Sequence, residues 1–276
     1  DALMGVTDVI RGDDHLSNTP KQIVVYNALG FSVPRFHHVP MILNPEGKKL
    51  SKRDGATDVM EYQKEGYFAE TLLNFLIRLG WSHGDQEIFS LQEMLEWFDP
   101  TDINKSASAY NKEKLLWLNA HYIKTLPSER IIEELKYFGV DISLHVSKEV
   151  LVDAIRDRAK TLKEFAIQVQ QILDAPQQYD EKAVEKFLTK DSLAVLESYL
   201  AVLIAKGSLQ DASEFEEFTK TFLEEKGLKL KDIAQSLRIA MVGNSVSPSV
   251  FEVLSIVGYN EVIKRIKNLI QGVRVE

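Results

Sequence analysis

The chain has 276 residues, 45% of them hydrophobic and 27% charged, with a formal net charge of −8; this is ordinary globular material, long enough for two domains or three small ones. The absence of cysteine excludes disulfides and thiolate metal sites, and the six histidines show no paired ligand spacing. The acidic balance argues against a protein that coats nucleic acid indiscriminately, although a local basic track within an acidic whole remains open.

No apolar run is long enough to span a bilayer, so no membrane partner is expected. The sequence contains no signal-peptide pattern, and its first residue is Asp rather than Met; the expected compartment is the cytoplasm and the expected origin a longer chain.

In chain order, GVTDVIRG (Gly5–Gly12) predicts a short buried strand ending at a glycine. TPKQIVVYNALG then carries helix punctuation, with Thr19 as N-cap, Pro20 at the first helical position and Gly30 just past the end. RFHHVPMIL (Arg35–Leu43) is extended, because Pro40 forbids a helix through it and its aromatic and β-branched residues favour a strand. Strand, helix and strand make one βαβ unit and imply a parallel sheet. A single unit cannot bury both faces of such a sheet, so it reads as the tail of a doubly wound domain.

NPEGKKLSKRDGAT (Asn44–Thr57) comes next, with Lys48, Lys49, Lys52 and Arg53 crowded into six positions between Gly47 and Gly55. Beyond it the texture becomes helical. TLLNFLIRLGW (Thr71–Trp81) has helical periodicity and a glycine stop, and Ser90 and Glu93 have capping-box spacing. After Pro127 only helices are predicted, over Ser128–Phe138, Ser147–Ala159, Leu162–Leu173, Glu181–Leu188, Ser192–Lys206, Ser213–Lys226, Lys231–Val242, Pro248–Val257 and Glu261–Gln271. Several stop at glycine, and Ser247-Pro248 starts one by the N-cap and proline rule.

The basic loop suits a polyphosphate: lysine supplies a mobile point charge, arginine a planar fork, and the glycines let the loop close and reopen. It is not a Walker loop. It follows a strand of a βαβ unit, near the crest where doubly wound sheets bind ligands.

KKLSKRDGA resembles the KMSKS signature of class I aminoacyl-tRNA synthetases in its Lys-Leu-Ser-Lys-Arg variant. VIRGDDHLSNTPKQIVVYNALGF, PRFHHVPMILNPEGKKLSKR, YQKEGYFAETLLNFLIRLGW, KLLWLNAHYI, TLKEF and SLRIAMVGNSVSPSVFEVLSIVG follow the bacterial glutamyl-tRNA synthetases in order, over essentially the whole chain. The family's His-x-Gly-His signature is absent, and SHGD at Ser82–Asp85 does not fit it. The expectation is therefore a C-terminal piece lacking that half of the active site and inactive alone.

The resemblance implies activation of L-glutamate by ATP, with Mg2+ accompanying the nucleotide, and transfer to tRNA(Glu) by a monomeric full-length enzyme. It assigns Lys52 to the departing phosphates, with Lys49 and Arg53 flanking it and Ser51 setting the loop. Arg11 would grip the α-carboxylate of glutamate, or else form a structural ion pair with Asp13 or Asp14. Asp14 and His15 would line the ATP and amino-acid pocket, and Met41 and Ile42 would sandwich adenine or be plain core strand residues.

Arg158 in DAIRDRAKTLKEF, where Arg156, Lys160 and Lys163 also cluster, would read the third anticodon base; as charge pattern alone the cluster is a solvated face. Arg238, Ser247, Pro248 and Val250 would form a second anticodon site, the turn otherwise serving only as a helix cap. No metal site is expected.

The implied fold is mostly α: a Rossmann-type remnant over residues 1–43, a stem-contact region with the basic loop over 44–126, and two helical anticodon-binding subdomains over 127–175 and 176–276. A glutaminyl enzyme has β-barrels where this chain is helical, and the short tRNA-modifying paralogue lacks the anticodon part. A non-catalytic tRNA-binding module, or an enzyme that also charges tRNA(Gln), stays open.

Overall fold

The structure is a computed structural model that describes residues 1–50 and 58–273. The chain forms two compact units, Asp1–Tyr122 and Ile123–Glu276.

In the first unit, β1 (Asp8–Gly12), α1 (Thr19–Ala28) and β2 (Arg35–Val39) make the expected βαβ unit. The two strands are parallel, in register from Asp8 opposite Arg35 to Gly12 opposite Val39. One detail departs from the sequence pattern. Asn18, not Thr19, takes the N-cap position of α1, and without a side-chain cap bond. The Thr19 hydroxyl is drawn elsewhere, accepting from Arg11 Nη2 at 2.6 Å and lying 2.9 Å from His38 Nε2.

The extended stretch after Gly30 is also two strands rather than one. Pro40, lacking an N–H, ends β2. The chain resumes as β3 (Ile42–Leu43), which pairs in parallel with β4 (Ser108–Ala109) in a separate sheet.

α2 (Val59–Glu65), α3 (Ala69–Gly80), α4 (Leu91–Trp97) and α5 (Lys112–Thr125) follow, α5 running across the division. Tyr67, Phe75, Leu115 and Leu118 form one apolar cluster, and Trp81, Phe89 and Met94 another. Two buried asparagines fasten the loops around them. Asn119 Oδ1 accepts from Phe68 N at 3.0 Å and Thr71 Oγ1 at 2.8 Å, and Asn74 binds both Glu87 O and Phe89 N. Each saves buried backbone groups from going unpaired. The Ser90–Glu93 capping box forms as its spacing predicts.

In the second unit the described residues form helices joined by turns, with no strand among them: α6 (Ser128–Leu135), α7 (Lys148–Arg156), α8 (Leu162–Leu173), α9 (Glu181–Phe187), α10 (Lys190–Lys206), α11 (Ala212–Lys226), α12 (Ala234–Val242), α13 (Val250–Val257) and α14 (Tyr259–Val273). Apolar residues three and four apart bury one face of α6 through Ile131, Ile132 and Leu135, whereas α12 is buried nearly all round. Tyr199 sits at the centre of the α10–α11 packing, bonded to Thr219 Oγ1 at 3.0 Å, and burial pushes its phenol up to about 12. Thr161, Asp180, Thr189 and Asp211 cap α8 to α11 through side-chain oxygens. Among the described residues no helix is long and apolar enough to cross a membrane.

Candidate functional site

The residues expected at the nucleotide end gather around the C-terminal end of β1 and the turn after β3. The Asn44 side chain accepts from Lys48 N at 2.9 Å, and Gly47 closes the turn at a φ of 75°. Leu50 N donates back to Ile42 O at 2.9 Å. This places Lys49 on the lip, where its ammonium reaches Asp14 Oδ2 at 3.2 Å across exposed surface. That hydrogen bond holds the Asp14 carboxyl below its ordinary value. Ser51, Lys52 and Arg53 lie outside the described residues.

Arg11 does not form the ion-pair alternative among the described residues. Its guanidinium donates to Thr19 and lies 5.0 Å over the Phe36 ring rather than pairing with Asp13 or Asp14, and its Nε is buried without a partner among the described residues. His15 is exposed, its Nδ1 3.4 Å from Asn18 Nδ2. Met41 and Ile42 are half-buried, with the Met41 carbonyl accepting from Ser108 N at 3.3 Å. Among the described residues no group of three or more histidine, aspartate or glutamate side chains is placed to hold a metal ion.

The second unit brings the anticodon candidates together in two groups. A cavity of about 630 Å³ is lined by Arg158, Gln168, Gln171, Asn244, Ser247 and Pro248 among others. Arg158 enters from the turn between α7 and α8, and Ser247 and Pro248 from the turn between α12 and α13. The latter turn does not cap α13 as its Ser-Pro pattern predicts. That helix starts at Val250 with Ser249 at its N-cap, and the Ser247 hydroxyl donates to the Pro248 carbonyl at 2.9 Å.

Arg238 and Val250 face a different cavity, of about 540 Å³, with Phe187, Gln235 and Phe251. Arg238 Nε and Gln235 Oε1 are buried there without hydrogen-bond partners among the described residues. The predicted second group is therefore divided: Ser247 and Pro248 join Arg158, while Val250 joins Arg238.

The basic cluster around Arg158 is not one solvated face. Arg156 turns inward, with Nη1 donating to Ile123 O at 2.6 Å and Leu126 O at 2.8 Å, and Nη2 to Ser128 Oγ at 2.8 Å. Arg158, two residues on, is exposed. Sequence reasoning missed Gln168, Gln171, Asn244 and Gln235. For Gln168 and Gln171, amides at i and i+3 in QVQQ of α8 were the available signal.

The tRNA synthetases class I (E and Q) catalytic-domain family model matches residues 1–117, and the anticodon binding domain model matches residues 90–270. The chain is 58% identical over 272 residues to "Glutamate--tRNA ligase 1" of Aliarcobacter butzleri, covering 98% of itself and 58% of that protein. It is 60% identical over 271 residues to "Glutamate--tRNA ligase 2" of Campylobacter concisus, again covering 98% of itself and 58% of that protein. A crystal structure of a glutamate tRNA ligase from Elizabethkingia meningosepticum in complex with its amino acid superposes with a TM-score of 0.80 at 30% identity, over 97% of this chain and 57% of that one.

The chain thus spans somewhat over half the length of these relatives. The expectation that the chain lacks the catalytic domain is corrected by these matches, and the ground for expecting it to be inactive alone goes with it. The catalytic-domain model applies from residue 1 to residue 117, and the relatives align through both family models. With the anticodon binding domain model matching more than half of its length, the chain belongs to that family.

Proposed function

We propose that this chain serves the ATP-dependent attachment of L-glutamate to tRNA(Glu) in the cytoplasm. Its first part handles the nucleotide and amino acid, and its helical part reads the anticodon. The divisions proposed for these tasks fall near residues 43, 126 and 175.

In the first step a glutamate carboxylate oxygen attacks the α-phosphorus of ATP, supplied as its magnesium complex, and the bond to pyrophosphate breaks. This step needs little proton transfer; positioning and charge stabilisation carry it. Lys52, with Lys49, Arg53 and Ser51, supplies cationic and hydroxyl groups to the departing phosphates. Lys49 exchanges the Asp14 carboxylate for phosphate oxygen, a swap that its exposed, solvent-screened pair makes inexpensive. Arg11 takes the α-carboxylate of glutamate, its unpartnered Nε being the available donor. Met41 and Ile42 pack the adenine, and Asp14 and His15 line the same pocket. In the second step the 2′-hydroxyl oxygen of the terminal adenosine attacks the glutamyl carbonyl, forming the ester while AMP leaves.

Arg158, Ser247 and Pro248 meet the third anticodon base, and Arg238 and Val250 a neighbouring one, because RNA sequence is read mainly from unstacked single-stranded bases. The observation that carries this reading is the convergence of Arg158 with Ser247 and Pro248, some ninety positions further along the chain, in one cavity of mixed polar and apolar lining.

The test is equilibrium binding of tRNA(Glu) and of a transcript changed only at the third anticodon base, at one fixed salt concentration. A preference of about tenfold or more for the matched transcript is expected, since one good bidentate contact discriminates by roughly 1–3 kcal/mol. Arg158→Ala is expected to abolish that preference. Absence of tRNA binding would overturn the proposal, and equal binding of both transcripts would remove Arg158 from it.

A further inference from the structure

The cavity that holds Arg158, Ser247 and Pro248 has two facing walls. One is the C-terminal end of α8, with Gln171 and Ile172, and the other is the end of α12 with the turn that follows, Val242 to Pro248. A helix end leaves its last carbonyls without intrahelical partners. Here both ends receive those partners from one side chain.

Arg265, on α14, is 2% exposed. Its Nη1 donates to Ile172 O at 2.8 Å and to Met241 O at 2.7 Å, and its Nη2 donates to Leu173 O at 2.6 Å. Its Nε faces Glu261 Oε1, one helical turn earlier, at 3.3 Å. The guanidinium therefore ties the last two carbonyls of α8 to the last turn of α12. Burial draws its pKa below the ordinary arginine value, with Glu261 acting in opposition.

The walls are also joined in front of the clamp. Asp180 N donates to Gly243 O at 2.8 Å, and a Cβ on Gly243 would lie 2.9 Å from Gln178 O. The backbone after α8 and the backbone after α12 are thus in direct contact, and Arg265 fixes the helix ends from which both emerge.

We infer that Arg265 is a positioning residue for base discrimination: it touches no RNA but sets the spacing between the α8 wall and the Ser247–Pro248 turn. The inference rests on the anticodon role proposed above for that cavity. An apolar residue of similar volume in its place would leave the carbonyls of Ile172, Leu173 and Met241 without this donor. A planar fork that spans three carbonyls on two helices cannot be replaced without freeing the helices from one another.

The experiment compares Arg265→Met, which keeps the stem and loses the donors, and Arg265→Lys, which keeps the charge and loses the fork. Phe222→Leu serves as a control: Phe222 is buried against Tyr199 and lines neither cavity wall. All are measured at a temperature where circular dichroism shows each variant folded. Arg265→Met is expected to cut the preference for the matched transcript about tenfold while leaving affinity for the altered transcript nearly unchanged. Arg265→Lys should fall between it and the parent, and Phe222→Leu should keep the full preference at a comparable drop in Tm.

Amide hydrogen exchange without RNA is the second readout, with exchange in 171–174 and 241–248 expected to accelerate at least tenfold in Arg265→Met. If Arg265→Met retains full discrimination, or Phe222→Leu loses as much, the inference falls. Uniform acceleration across the whole helical unit would also overturn it. If the parent chain itself shows no preference, the anticodon reading fails, and the exchange pattern still decides whether Arg265 holds the two walls.

Discussion

At the residue scale, Arg156 and Arg158 set the limit of what charge pattern conveys. Both belong to the run DAIRDRAK, and nothing in their spacing separates them. The structure sends Arg156 inward, where its guanidinium satisfies the carbonyls of Ile123 and Leu126 as well as the Ser128 hydroxyl. Its partners lie about thirty residues away, so no local signal could have announced them. The two substitutions should therefore separate. Arg156→Met strands buried acceptors and is expected to lower stability by about 2–3 kcal/mol. Arg158→Ala removes an exposed side chain and should stay within about 0.5 kcal/mol of the parent. Urea denaturation at neutral pH checks both. A large loss from Arg158→Ala would mean that this arginine serves the fold rather than the cavity it faces.

At the element scale, local chemistry was legible wherever it acted locally. The Ser90–Glu93 box needs only its own helix, and it forms as the spacing predicts, with Glu93 Oε2 accepting from Ser90 N at 2.7 Å. Ser90→Ala should cost about 1 kcal/mol, read as a lower urea midpoint for the first unit. Thr19 and Ser247 carry equally good cap signals and cap nothing, because Arg11 and His38 claim the Thr19 hydroxyl and the Pro248 carbonyl claims that of Ser247. A cap is a competition, and sequence shows only one of the competitors.

The glycine stop after α12 has a second reason that sequence could not show. Gly243 has a φ of 79°, a conformation costly for any residue with a Cβ, and the space beside it is taken by Gln178 O and Pro176. Gly243→Ala is therefore expected to lose more than the ~1 kcal/mol of a glycine needed only for its dihedral angle. Equal losses in Gly243→Ala and Gly227→Ala, which has open space around it, would show that the close approach is relaxed at no cost.

At the scale of the whole molecule, the two units differ in how their charges respond to acid. In the first, Asp8 is held at about 2, from an ordinary 3.8, chiefly by hydrogen bonds from Arg35 and His37. It stands opposite Arg35 in the register, so this contact fastens β1 to β2. Asp14, Glu87, Glu93 and Asp99 in the same unit are also lowered. In the second unit Asp141 and Asp157 are lowered. A carboxyl held below its unfolded value stabilises the fold above that value, and the contribution is lost as pH falls through the folded value. The first unit should thus weaken between about pH 4 and pH 2 before the second does.

The exposure of these pairs keeps each contribution small and sensitive to salt. It is their concentration in one unit that sets the order. The chain reports the two units separately: Trp81, Trp97 and Trp117 all lie in the first, while most of the helix lies in the second. In an acid titration, tryptophan fluorescence is expected to change at higher pH than the helical circular-dichroism signal, and added salt should narrow the gap. Asp8→Asn should lower the urea midpoint of the first unit most near neutrality, where its pairs with Arg35 and His37 are lost, and least below about pH 2, where Asp8 is already protonated. Coincident transitions, or loss of helix first, would mean that acid acts on the chain through groups other than these carboxylates.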